Sequence, residues 1–181
     1  MSGTARHRVA VVGIGNDLAG DDGAGPEVVR LLAPCWQNDE RVLLCRLEGD
    51  LLSIADLLPL ADEFVFVDAV AGDVPGEIVH STEACRAFTP SFHQTDVATV
   101  MRSLEALAVV EPFPSWDLWG TTILPPLEFR QGLSVPVAGA VRHLADELDR
   151  HLHKVLGGSS GGGSAYSLAS LALSRPIWER R

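Results

Sequence analysis

The sequence predicts an α/β fold class: a three-layer α/β/α single domain with a twisted, mostly parallel sheet. Continuous apolar runs at residues 8–12, 41–47 and 63–70 are typical of strands that are buried on both faces. Segments with apolar residues at helical spacing alternate with these runs. Strands that alternate with helices favour a parallel sheet covered by helices on both faces, and 181 residues suit one domain.

The first half of the chain alternates strands with helical segments. The strand at 8–12 leads into a glycine-rich turn, GIGNDLAGDDGAG at 13–25, and then into a helix with Pro26 in its first turn. After the second strand, leucines at helical spacing cover residues 50–60, and this pattern stops at Pro59.

The second half continues the alternation after the third strand. A turn and a short strand are predicted within 72–80, then a helix over 95–108 with Thr95 as its cap, a strand over 117–124 and a helix over 137–156. The predicted buried faces are Val97, Val100, Met101, Leu104 and Leu107 on the first of these helices, and Val141, Leu144, Ala145, Leu148 and Leu152 on the second.

Composition narrows the class of partner. The formal net charge is -10, from 14 basic and 24 acidic residues, which argues against nucleic acid or an anionic membrane as the partner. No apolar run reaches the length of about 20 residues that a membrane span needs. A partner that is cationic or carries a metal fits this charge.

The cysteines indicate the cellular compartment, and a Gly/Ser-rich segment indicates where the domain ends. The three scattered cysteines, Cys35, Cys45 and Cys85, form no CxxC pair, so we expect small buried thiols in a reducing cytoplasm. Residues 1–156 form the predicted domain, and GGSSGGGS at 157–164 has the composition of a flexible linker. The peptide 165–181 is interpreted either as a docking tail or as a fusion.

The loop 13–25 has the outline of a phosphate-binding turn but the opposite charge. The dinucleotide pattern GxGxxG fails because Leu18 stands at its third glycine. A P-loop fails because Asp21 and Asp22 replace its Lys and Ser/Thr. Two carboxylates near a helix N-terminus are favoured in their charged form and suit a metal ligand. The alternative is that they only cap the helix or solvate the turn.

Two further residues are candidate metal ligands. Asp68 closes an apolar strand, where an acid is costly unless it is paired or bound to a ligand. His93, in TPSFHQTD, precedes a predicted helix. Together with Asp22 they would offer two oxygens and one nitrogen, a set that suits Ni, Zn, Mn or Fe(II). Asp68 could instead accept hydrogen bonds from loop amides, and His93 could be structural or simply exposed.

The remaining candidates have weaker patterns. Glu128 could line the site or be a solvated loop acid. We interpret the other histidines as structural or exposed: His7, His80, His143, His151 and His153. The sequence contains no HExxH or GxSxG motif and no paired Cys and His with local context, so nothing supports a serine or cysteine nucleophile.

The motifs taken together resemble those of the maturation endopeptidases of [NiFe] hydrogenases. They are, in chain order, GIGNDLAGDDGAGPEV, VFVDAV, PGEI, SFHQ and WGTTILPPLEFRQGLS. The resemblance covers roughly residues 8–155. It implies a three-layer α/β fold and an enzyme that removes a short C-terminal extension from the hydrogenase large subunit after nickel insertion.

The resemblance also implies roles for particular residues. Asp22, Asp68 and His93 would be the metal-binding and catalytic residues, with Asp21 as a supporting neighbour. The metal would be nickel already held by the substrate, the large-subunit precursor, and no nucleotide would be needed. Nickel would polarise the scissile carbonyl or activate a water, which makes cleavage a checkpoint on nickel loading. Two alternatives remain: an assembly factor that checks nickel without cutting, and a nucleotide-binding α/β domain.

Overall fold

Five strands build the sheet in the computed structural model, which describes residues 6–82, 96–124 and 129–157. They are β1 (His7–Ile14), β2 (Val42–Leu47), β3 (Ala61–Ala71), β4 (Ile78–Thr82) and β5 (Ser115–Ile123). The spatial order is β2-β1-β3-β5-β4. The pairs β1–β2, β1–β3 and β3–β5 are parallel, and β4 pairs with β5 antiparallel. The mostly parallel sheet of an α/β fold is therefore confirmed.

The helices follow the predicted order. They are α1 (Ala24–Trp36), α2 (Ile54–Leu57), α3 (Val97–Ala106) and α4 (Val135–Val155). Short 3-10 turns cover Gly20–Gly23 before α1, and Leu51–Ser53 and Leu58–Leu60 on either side of α2. The segment 50–60 is thus helical in three short pieces and does not stop at Pro59. That proline is the second residue of the last turn, where its missing N–H removes no hydrogen bond.

Two apolar clusters cover the two faces of the sheet. On β3, Val65 and Val67 pack with α1 and α4. The alternate residues Phe64 and Phe66 pack on the other face with α3 and the 51–60 helical turns. Side chains alternate across a strand, so one continuous apolar strand supplies both layers of core. This arrangement is the three-layer architecture.

The buried faces of the last two helices were predicted with one error. All five apolar residues expected on α4 are buried, as are the first four expected on α3. Leu107 is instead 73% exposed, because α3 ends at Ala106 and the next residue turns out of the helix face. The helix is capped by Asp96, whose side chain accepts a hydrogen bond of 2.8 Å from the Thr99 N–H. Thr95, the expected cap, lies outside the described residues.

The strand order creates a switch point between β1 and β3. From β1 the chain continues to the neighbour on one side, and from β3 it continues towards β5 and β4 on the other side. Connections that leave in opposite directions open a crevice at the carboxyl ends of the two strands, where ligands bind in open α/β sheets. The acidic loop follows β1, and Asp68 lies in the carboxyl-terminal half of β3.

Candidate active site

The first acid of the site, Asp22, lies inside the loop that follows β1. It is 4% exposed, and its Oδ2 accepts a hydrogen bond of 2.8 Å from the Asn16 backbone N–H. The Asn16 side chain in turn accepts from the Leu18 N–H at 2.9 Å. Gly15 has a φ of +138°, and a Cβ on it would overlap the Asp22 carbonyl oxygen. The loop therefore folds back so that the Asp22 carboxylate is held at the end of β1.

Glycines also bring the start of α1 against the backbone of the sheet. A Cβ on Gly25 would overlap the carbonyl oxygens of Val67 and Ile14, and a Cβ on Gly13 would overlap the Gly25 carbonyl oxygen. The helix can approach β1 and β3 this closely only because both positions lack side chains. Asp68 directly follows Val67 in β3. The close approach of the helix therefore brings the acidic loop to the end of the β1–β3 pair, beside Asp68.

The second acid, Asp68, is buried within β3. It is 2% exposed, and its Oδ1 accepts a hydrogen bond of 2.8 Å from the Ala69 N–H. The β1–β3 pairing runs to Gly13 opposite Val67, so Asp68 comes just after the last residue of β3 that is paired with β1. It is not the end of its strand, because β3 continues to Ala71 beside β5. The amide contact expected under the alternative interpretation is thus present, and the carboxylate still lies at the switch point.

Asp21 has a different role from its neighbour Asp22. Its Oδ1 accepts hydrogen bonds from the Ser134 backbone N–H and, at 3.4 Å, from Nη2 of Arg130. The Gly20 N–H donates to the Arg130 carbonyl at 2.8 Å. These contacts fasten the segment before α4 onto the acidic loop. Asp21 is therefore a structural link between two loops.

Sequence reasoning missed the partners that hold the two loop acids. Asn16 could have been noticed, because an Asn followed by a turn often accepts from the amide two residues on. Ser134 stands at the start of α4 and could have been predicted as its cap, although its side chain makes no capping bond. Arg130 carried no local signal, because its contact with Asp21 joins residues far apart in the chain.

The third candidate ligand cannot be placed beside the two acids. His93 and Glu128 both lie outside the described residues. Within residues 6–82, 96–124 and 129–157, no three His, Cys, Asp or Glu side chains group closely enough to hold a metal ion. Asp22 and Asp68 alone offer hard oxygen donors from two neighbouring elements, which fits part of the predicted set.

The described cysteines do not have the surroundings of a nucleophile. Cys35 is exposed and Cys45 half-buried, so the expectation of buried thiols is wrong for Cys35; partial desolvation raises the pKa of both free thiols. A raised pKa lowers the fraction of reactive thiolate at neutral pH. Cys85 lies outside the described residues.

In the part of the chain that is described, no helix is long and apolar enough to cross a bilayer.

These features define a class: an α/β protein with a mostly parallel sheet and two buried acids at its switch point. Comparison with solved structures agrees with this class. The hydrogenase maturating endopeptidase HybD from E. coli matches with a TM-score of 0.64 and 23% identity, over 83% of this chain and 94% of that chain. The [NiFe] hydrogenase maturation protease HybD from Thermococcus kodakarensis matches with 0.63 and 23%, over 80% and 98%.

A third solved structure gives the same result. The [NiFe] hydrogenase maturation protease HycI from Thermococcus kodakarensis KOD1 matches with a TM-score of 0.61 and 24% identity, over 84% of this chain and 95% of that chain. No family model matches the sequence, and a search of curated proteins gives no significant match. The chain therefore has the fold of the hydrogenase maturation proteases, and the resemblance predicted from the motifs is confirmed at the level of the fold.

Proposed function

We propose that this chain is an endopeptidase that removes the C-terminal extension of a [NiFe] hydrogenase large-subunit precursor after nickel insertion. The observation that carries the proposal is the burial of Asp22 and Asp68 at the switch point of this fold. Both acids are buried, 4% and 2% exposed, where open α/β sheets bind their ligands, and carboxylate oxygens there are suitable metal donors. Proteins with this fold and comparable length are named as hydrogenase maturation proteases.

The proposed recognition uses the metal that the substrate carries. The carboxylates of Asp22 and Asp68 would offer oxygens to the nickel of the precursor, and His93 would add an imidazole nitrogen. His93 precedes α3 in the chain, and α3 packs on the face of β3 that holds Phe64 and Phe66. By the alternation of side chains along a strand, Asp68 belongs to this same face. The proximity of the helix to that face supports His93 as the third ligand.

The chemistry of cleavage follows from this arrangement. Nickel would polarise the scissile carbonyl or activate a water molecule for attack on it. A precursor without nickel would lack the cation that the two carboxylates are proposed to bind, so it would bind less well. Cleavage would thereby report nickel loading.

The scattered cysteines and the absence of a predicted membrane span are the basis for proposing a cytoplasmic setting.

A second candidate is an assembly factor that checks nickel in the large subunit without cutting it. It would use the same metal-facing acids, so the two functions share Asp22 and Asp68. They differ in the product: only the endopeptidase shortens the precursor.

The test is the intact mass of a nickel-loaded precursor from the same source, incubated with and without this protein, beside a nickel-free precursor. We expect loss of one C-terminal peptide, and only from the nickel-loaded form. An unchanged mass together with a stable complex would replace the endopeptidase by the assembly factor.

Substitution of the loop acid tests the site itself. Asp22→Asn keeps an oxygen that can accept from the Asn16 N–H but removes the charge, so we expect cleavage to slow by about a hundredfold or more. Asp73→Asn is the matched control, because Asp73 is an exposed acid just after β3. The proposed role of Asp22 is rejected if both variants cleave at the wild-type rate.

A further inference from the structure

Three large apolar side chains stand exposed beside the acidic loop. Leu18, Phe129 and Val135 are 45%, 86% and 88% exposed. Single exposed apolar residues are common on protein surfaces, but a contiguous apolar patch marks an interaction site. We refer to these three residues as the apolar rim.

Backbone pairing joins the segments that carry two members of the rim. Ala19 and Arg130 form a parallel β-bridge, and the Gly20 N–H donates to the Arg130 carbonyl at 2.8 Å. In a parallel bridge the residues that precede the two bridged residues are also neighbours. Leu18 and Phe129 are those residues, so the bridge brings together the two segments that carry them.

The third member is held in place by the acid next to the candidate ligand. Val135 follows Ser134, whose backbone N–H donates to Asp21. Asp21 directly precedes Asp22 in the chain. All three rim residues are therefore connected to the short segment 18–22, which contains Asp22.

The charges of this region narrow the chemistry of whatever covers it. Arg130 is paired with Asp21 at 3.4 Å, and Arg46, at the end of β2, is paired with Asp17 at 2.5 Å. Arg130 and Arg46 are thus each paired with an acid of the loop. The rim itself is apolar, and the switch point beside it is acidic. A complementary partner has an apolar surface that surrounds a cationic centre.

We propose that the apolar rim is the docking surface for the body of the nickel-carrying precursor, which would press apolar residues around its metal against Leu18, Phe129 and Val135. This inference rests on the proposed function and adds to it the surface that selects the substrate. Metal ligation by itself cannot distinguish one nickel-bearing protein from another. Burial of apolar side chains around the metal would supply that discrimination.

The test compares a rim variant with a matched surface variant. The rim variant is Phe129→Ser combined with Val135→Ser. The control is Leu107→Ser, because Leu107 is 73% exposed and follows directly on the end of α3, outside the segments that carry the rim. Binding of the nickel-loaded precursor is measured by biolayer interferometry, and cleavage kinetics are measured by intact mass.

We expect the rim variant to weaken binding about tenfold or more and to raise KM by a similar factor with kcat unchanged, because docking contacts act on substrate binding. The control should behave as the wild type. Circular dichroism and thermal melting check that both variants fold. We expect them to do so, because the substituted side chains are exposed.

Other outcomes separate this inference from the function on which it rests. Unchanged binding and KM in the rim variant, with wild-type cleavage intact, would overturn the docking surface and leave the endopeptidase standing. If the wild-type protein binds the precursor through the rim but never shortens it, docking stands and cleavage fails. Sedimentation provides the last check: a wild-type dimer that the rim variant converts to monomer would assign the rim to self-association and overturn the proposal.

Discussion

Two adjacent acids of the same loop show how much a single residue position decides. Asp21 and Asp22 share a 3-10 turn, yet their carboxylates bond to different parts of the molecule. Asp22 accepts from the Asn16 N–H within the loop, whereas Asp21 accepts from the Ser134 N–H at the start of α4. In a tight turn, neighbouring side chains leave the backbone in different directions. One acid therefore remains at the switch point while the other fastens the loop to the helix.

The structural role of Asp21 is testable by two substitutions. Asp21→Ala leaves the half-buried Ser134 N–H without its acceptor, and we expect a loss of about 1 to 3 kcal/mol in the free energy of unfolding. Asp21→Asn retains an oxygen acceptor and should lose less. Urea unfolding measures both values. Equal losses in the two variants would show that charge, and not the hydrogen bond to Ser134, holds the loop.

At the scale of elements, the helix that follows the acidic loop packs unusually close to the sheet. Gly25 in α1 contacts the backbone of both β1 and β3, where a side chain has no room. Gly139 in α4 is exposed, and nothing lies within 4 Å of where its Cβ would be. The missing side chain thus has opposite effects on stability at these two helical glycines. The first permits contact, and the second only costs backbone entropy.

Substitution of each glycine by alanine tests these two effects on stability separately. Gly25→Ala would force a methyl group into the Val67 and Ile14 carbonyl oxygens, and we expect a loss of about 3 kcal/mol or more in the free energy of unfolding. Gly139→Ala should gain up to about 1 kcal/mol, because alanine is the better helix former. Chemical denaturation of both variants is the measurement. A neutral Gly25→Ala would mean that α1 does not seat on β3 as described.

At the scale of the whole molecule, the last helix of the described domain, α4, packs on the first one, α1. Leu148 and Leu152 near the end of this helix are fully buried in the cluster shared with α1. Trp36 at the end of α1 donates a hydrogen bond of 2.8 Å from Nε1 to the Asp149 carboxylate. The last helix is therefore fastened to the first one.

Removal of residues 158–181 tests whether the domain is complete without them. The buried residues of α4 pack in the cluster shared with α1 and the sheet, so we expect the melting temperature to stay within about 2 °C of the full chain. Differential scanning calorimetry of the two forms is the measurement. A clear fall in melting temperature would show that the tail peptide packs on the domain, contrary to the interpretation of 157–164 as a flexible linker.

Much of the fold was predictable because its signals are local. The apolar run of β3 indicated a strand buried on both faces, and the spacing of Leu144, Leu148 and Leu152 indicated the buried side of α4. Local signals were less reliable at element ends: Leu107 was expected in the core and is exposed, because a pattern of spacing does not show where a helix stops. The inverted charge of Asp21 and Asp22 was also local and led away from a phosphate site.

The sequence by itself determined the α/β class, the order of the elements and the acids that mark the site, since periodicity and residue chemistry are read from neighbours along the chain. Only the tertiary structure decided that β1 and β3 are neighbours and that Asp22 and Asp68 both lie at the switch point between them. It also decided that Asp21 bonds to Ser134 at the start of α4. These facts depend on contacts between residues tens of positions apart. Such contacts form when glycines permit close backbone approach and apolar faces are buried together, and no local pattern encodes their partners.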